Sequence, residues 1–157
     1  MEKNVVKNIL ADIDLRQNLI KLKGSMTAAD TLDGPIVEKL CDCLSHEDPK
    51  VRKNAALLLG YTKNSMMASV LLDAYKNEEK DFVKDAYLKG MSHYDCKPYI
   101  KELQEIQNEL MNSEVVDSKH IKAQLKVLNP MIRSYSYHCS ASFILSGKCR
   151  SEHAAYY

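Results

Sequence analysis

Asp48-Pro49-Lys50-Val51-Arg52-Lys53-Asn54-Ala55-Ala56-Leu57-Leu58-Leu59-Gly60 carries the marks of one complete helix. Asp48 can accept a hydrogen bond from an otherwise unpartnered N–H of the first turn. Pro49 fixes φ near the helical value where its missing N–H costs nothing. Val51, Ala55, Leu58 and Leu59 then recur at three- and four-residue steps, the period of one buried helix face. Gly60 is expected to close the helix in the left-handed conformation that glycine adopts without penalty.

The same wording returns on both sides. At a spacing of 36 residues upstream, Asp12 falls on Asp48, Arg16 on Arg52, Asn18 on Asn54 and Gly24 on Gly60. At a spacing of 31 downstream, Val51 falls on Phe82, Lys53 on Lys84, Asn54 on Asp85, Ala55 on Ala86 and Leu57 on Leu88. That spacing also lays Ile36 on Met67, Leu40 on Leu71 and Leu44 on Tyr75. Between these copies stand further apolar stripes. Val5, Val6, Ile9, Leu10 and Ile13 form the first, and Ile36, Val37, Leu40 and Leu44 follow the start signal Asp33-Gly34-Pro35. Helices are predicted over Ser65–Tyr75, Asp81–Met91, Lys97–Met111 and Val116–Leu128, the last with Ala123 and Leu125 in the places of Ala86 and Leu88. The chain therefore reads as all-α, a right-handed α-solenoid of about four helical hairpins over residues 1–130. One hairpin cannot bury its own stripe, so neighbours must stack to close a core. Leu57→Ala should cost roughly 2–5 kcal/mol if that leucine reaches the core.

Composition narrows the function classes. With 22 Lys+Arg against 21 Asp+Glu in 157 residues, the net charge of +1 gives no general attraction to nucleic acid or anionic lipid. Five Gly and four Pro leave little turn material for an all-β fold. The longest unbroken apolar run, Ala55–Leu59, is far too short for a membrane span, and the N-terminus shows no secretory pattern. Five cysteines without framework spacing fit a reducing, cytoplasmic setting.

The order Asp-Pro, Val-Arg, a small-residue pair and Leu-Gly over residues 48–60 resembles the second helix of a HEAT-like repeat, and the next copy matches it with Val83 in the arginine's place. Residues 1–132 as a whole resemble the HEAT-repeat leader of some bacterial S-adenosylmethionine-dependent RNA methyltransferases. That likeness lies in the order of the helices and in segments such as Phe82-Val83-Lys84 and Lys119-His120-Ile121. The first resemblance implies a non-catalytic binding or scaffolding module. The second implies an accessory role beside an RNA-modifying enzyme whose catalytic part this chain lacks. A free-standing protein adaptor is the alternative. A HEAT-like DNA glycosylase is a third reading, weakened because its groove typically includes tryptophan and this chain has none.

Candidate binding residues follow from the repeat. Arg16, Arg52, Lys53, Lys84 and Lys89 lie on second helices of successive hairpins, which in a solenoid usually line the concave face. They could meet a protein or an RNA backbone there, with Lys122 and Lys126 extending the row. Asp81, Asp85 and Asp117 in the same helices favour a solvated mixed-charge face instead. The pairs Asp12/Arg16 and Asp48/Arg52 are alternatively i,i+4 ion pairs that support the helix starts. Tyr61, Tyr75, Tyr87, Tyr94 and Tyr99 read as packing residues before they read as a base-stacking row, because Tyr75 and Tyr87 fall on apolar repeat positions. Met66, Met67 and Met91 read as core filler.

Catalytic and cofactor chemistry finds no foothold. There is no phosphate-cradling glycine loop, no paired acid and base, and no cofactor is implied. Cys41 and Cys43, two apart on a predicted helix, point to nearly opposite sides and read as packing thiols. His138, Cys139, Cys149 and His153 are zinc-ligand types, but they lack knuckle spacing. They belong to residues 131–157, a serine- and tyrosine-rich tail whose only charges are Arg133, Lys148, Arg150 and Glu152, and which is expected to be poorly ordered.

Overall fold

The structure, a computed structural model, describes residues 3–116 and 118–145, with side chains described as far as Tyr135. Among these residues there are eight α-helices and no strand. Helices α1 (Lys3–Leu10) and α2 (Leu15–Ser25) form the first hairpin, and α3 (Pro35–Asp42) with α4 (Pro49–Leu59) the second. Helices α5 (Met67–Lys76) and α6 (Asp81–Met91) form the third, α7 (Ile100–Met111) and α8 (Lys119–Leu145) the fourth. Each first helix packs on its own second helix. The second helices also pack on one another, α2 on α4, α4 on α6 and α6 on α8, so they form a continuous layer. This is a helical solenoid.

The start of α4 follows its sequence. Asp48 Oδ1 accepts a hydrogen bond from Lys50 N at 2.8 Å, and Pro49 opens the helix. Helix α3 starts differently: Gly34 holds the cap position at φ 58°, in the left-handed region, and no side chain caps the helix. Gly60 departs from expectation. Its φ is −62°, an ordinary helical value. Close packing, not a left-handed turn, accounts for a small residue there: a Cβ would lie 2.9 Å from His93 Cδ2 and 3.3 Å from Leu57 O. The left-handed turn comes instead between α1 and α2, where Asp12 has φ 57° and Asp14 φ 38°. Asn18 holds that turn, its Nδ2 donating to Ile13 O at 2.8 Å and Asp14 O at 3.3 Å.

Burial tests the repeat register. From α2 to α4 the spacing of 36 holds, since Leu15, Asn18, Leu19 and Leu22 are buried and so are Val51, Asn54, Ala55 and Leu58. From α3 to α5 the spacing of 31 pairs buried with buried, Ile36 with Met67, Leu40 with Leu71 and Leu44 with Tyr75. From α4 to α6 it is 32. Val51, Asn54, Ala55, Ala56, Leu58 and Leu59 superpose in burial on Val83, Ala86, Tyr87, Leu88, Gly90 and Met91. One extra residue in the turn before α6 shifts the register, so Lys84, not Val83, stands where Arg52 stands. Leu57 is correspondingly half-buried while Leu58 is fully enclosed. The roughly 2–5 kcal/mol cost of a leucine truncation therefore belongs to Leu58.

A close helix approach also lies between repeats. A Cβ on Gly90 would sit 2.5 Å from Ala56 O, so α4 and α6 meet there almost backbone to backbone. At the far end, α8 does not stop at Leu128. It runs through Pro130 to Leu145, with Ile132 buried. Tyr135 Oη accepts a hydrogen bond from Cys96 N at 2.7 Å, and Gln107 Nε2 donates to Asn129 Oδ1 at 2.6 Å. These contacts on both sides of the proline hold a helix that Pro130 by itself would break. Residues 146–157 lie outside the described part of the chain.

Candidate functional site

The basic residues of the second helices divide into those turned to structural use and those left open. Arg52 belongs to the first group. Its Nε and Nη2 grip Glu78 Oε2 and Oε1 at 2.7 and 2.8 Å, and its Nη1 donates to His46 O and Glu47 O at 2.8 and 3.1 Å. Glu78, in the turn between α5 and α6, also accepts from the backbone N–H groups of Glu79 and Lys80. Its side chain is only 4% exposed. Burial alone would raise the Glu78 carboxyl, but these hydrogen bonds outweigh it and hold the group below its ordinary 4.5. The pair clamps the turn of the second hairpin to that of the third. It sits in a cavity of about 580 Å3 whose walls mix both signs of charge, including Asp73, Glu79 and Lys80.

The i,i+4 pairing of aspartate and arginine does not form. Asp12 takes Lys39 at 2.6 Å, and Asp48 lies 4.0 Å from Arg16 of the preceding repeat. Once Asp48 is occupied as a cap, Arg52 is free to reach the next turn. Lys84, at the matching position of α6, lies over the Tyr75 ring with its Nζ 5.3 Å from the centroid. Tyr75 and Tyr87 are both buried, as packing residues. The Tyr75 hydroxyl donates to Gln124 Oε1 at 2.7 Å, joining α5 to α8. Burial pushes the Tyr87 hydroxyl up to about 12.

Lys53 and Lys89 make up the second group, with Arg16, whose contact to Asp48 is long at 4.0 Å and exposed, beside them. Arg16 and Lys89 are exposed on α2 and α6. Lys53 lines a groove of about 450 Å3 between α2, α4 and α6, together with Ile20, Lys23, Lys50, Asn54 and Phe82. Lys23 Nζ donates to Asn54 Oδ1 at 2.9 Å, and Asn54 Nδ2 donates to Lys50 O at 2.8 Å, so the walls are tied together. Sequence reasoning singled out Lys53 here and missed Lys23, Lys50, Ile20 and Phe82. Lys23 and Ile20 sit outside the repeated Arg and Lys positions, and only the packing of α2 on α4 brings them to Lys53. The available signal was the apolar Ile20, which falls off the buried stripe of α2 and is 40% exposed.

Other candidate chemistry resolves into packing. Cys41 is half-buried with its Sγ 3.8 Å from Met67 Sδ, and Cys43 lies beyond α3 in a short 3-10 turn, buried. Burial pushes the thiols of Cys43 and Cys96 up to about 11 each, which keeps them protonated and unreactive. Among the described residues no group of His, Cys, Asp and Glu could hold a metal ion, and no helix is long and apolar enough to cross a membrane. The side chains of His138, Cys139, Cys149 and His153, and Asp117, lie outside the described residues.

Stacked helical hairpins whose second helices form one layer, with a lysine-lined groove across three of them, define an α-solenoid of helical repeats. The chain belongs to the HEAT-repeat family, whose profile matches residues 5–109, from α1 into α7. Neither the curated proteins nor the solved structures give a match.

Proposed function

We propose that this chain is a non-catalytic binding module that presents the face of its second helices, the concave side of the solenoid, to a protein partner. The observation that carries this is the groove on that face, where Lys50 and Lys53 have no charged partner among the described residues and Ile20 is left apolar and exposed. Solenoids of this family type use such continuous helix layers as extended partner surfaces. A scaffold needs its remaining charges satisfied, and Arg52 and Lys84 are spent inside the fold in that way.

An accessory role beside an RNA-modifying enzyme is the finer reading that the helix order suggests, and RNA contact would be its signature. The module's balanced charge and the inward use of Arg52 favour a protein partner over a nucleic-acid backbone. Site-specific photocrosslinking distinguishes the faces. A crosslinking residue placed at Arg16, Lys53 or Lys89 should join a discrete protein in a native lysate, while one placed at Asp73, Lys76 or Lys101 on first helices should not. Equal capture from both sets, or capture of RNA alone, would contradict the proposal.

A further inference from the structure

We infer that the groove between α2, α4 and α6 takes an acidic peptide segment anchored by one large apolar side chain. This rests on the protein-binding reading of the second-helix face and names the chemistry of its partner. The groove is lined by three lysines and by no carboxylate, in a chain whose total charge is only +1. Lys23 is pinned to Asn54, which is tied in turn to the backbone of Lys50, so one of the three ammonium groups is held in place before anything binds. Ile20 and the half-buried Phe82 supply apolar surface beside those charges. Apolar surface framed by like charges fits an apolar anchor flanked by the opposite charge, with the anchor giving affinity and the charges giving orientation and speed.

A nucleic-acid strand fits the same groove less well. Backbone recognition needs cations repeated along a track, and non-specific strand binding adds a series of aromatic platforms. Here the row is interrupted, since Arg52 is held by Glu78 and Lys84 lies over Tyr75. Phe82 is the one aromatic residue among those lining the groove.

Fluorescence anisotropy tests this with a short labelled peptide of aspartates and glutamates around a central leucine. Its comparisons are the same peptide with serine for leucine, the same peptide with lysines for the acids, and an oligouridylate. The full chain should bind the leucine peptide and lose at least about tenfold in affinity for the serine and lysine forms, a difference of about 1.4 kcal/mol or more. Lys50→Glu together with Lys53→Glu should cause a similar loss, with an unchanged thermal melt to show that the fold persists. Binding indifferent to these reversals, or equal binding of the serine peptide, would overturn the inference. So would an oligouridylate bound more tightly than the leucine peptide and released by the same reversals. Crosslinking from Lys89 separates the two levels of the account. If it still captures a protein while the peptide fails, the partner chemistry is wrong and the face is right. If second-helix crosslinking fails as well, the underlying reading falls with it.

Discussion

Arg52 and Lys53 are neighbours in the chain and do opposite things, because successive residues on a helix point about a quarter-turn apart. The guanidinium of Arg52 turns to Glu78 and two backbone carbonyls, whereas the ammonium of Lys53 turns to the groove. Sequence spacing grouped them as one basic row, since a carboxylate partner 26 residues away leaves no local trace. Glu78→Ala should destabilise the chain by about 3 kcal/mol in urea unfolding, the lower end for a broken buried pair. The sign with pH follows from the lowered carboxyl of Glu78. Its contribution is complete above the ordinary value of 4.5 and fades as the pH falls through the lower folded value. Wild type and Glu78→Gln should therefore differ most at neutral pH and converge in acid. A difference that grows on acidification would contradict this account of the clamp.

At the scale of elements, capping and periodicity made most helices legible, and α6 begins and ends at the residues the pattern marks, Asp81 and Met91. The register between α4 and α6 was not legible to one residue, because a single added turn residue leaves the apolar period intact while moving its partner. Glycine roles were also hidden, since they depend on neighbours. Gly90→Ala should destabilise by about 1–3 kcal/mol, because its Cβ would press on the backbone at Ala56. Gly24→Ala, where nothing lies within 4 Å, should be neutral or gain up to about 1 kcal/mol of helix propensity. Equal effects at the two sites, measured by thermal melts, would show that the α4–α6 approach is looser than described. The last helix, predicted to end at Leu128, runs further instead, to Leu145. Pro130 is a sound local stop signal, and burial of Ile132 with the Tyr135–Cys96 hydrogen bond overrides it. Pro130→Ala should accordingly raise the melting temperature, by restoring an N–H and relieving the clash with the preceding turn. A lower one would mean that the chain uses the proline's bend.

Over the whole molecule, the repeated stripes foretold a stack of hairpins, because a solenoid core is built only from neighbours and its pattern survives in each copy. The groove was only partly foretold. Lys53 could be read from its repeat position, but Ile20, Lys23 and Phe82 join it through contacts between three different helices. Near-neutral total charge concealed a local cationic surface, since a sum over the chain cannot show which charges are already paired inside it. On the proposed function, the groove lysines serve a partner while Arg52 serves the fold. Measuring stability and partner capture side by side in Lys50→Glu/Lys53→Glu and in Arg52→Ala separates these two roles. The lysine pair should melt like wild type and lose its crosslinked partner, while Arg52→Ala should melt lower and keep the partner wherever it remains folded. A lysine variant that unfolds, or one that keeps its partner unchanged, would contradict the account.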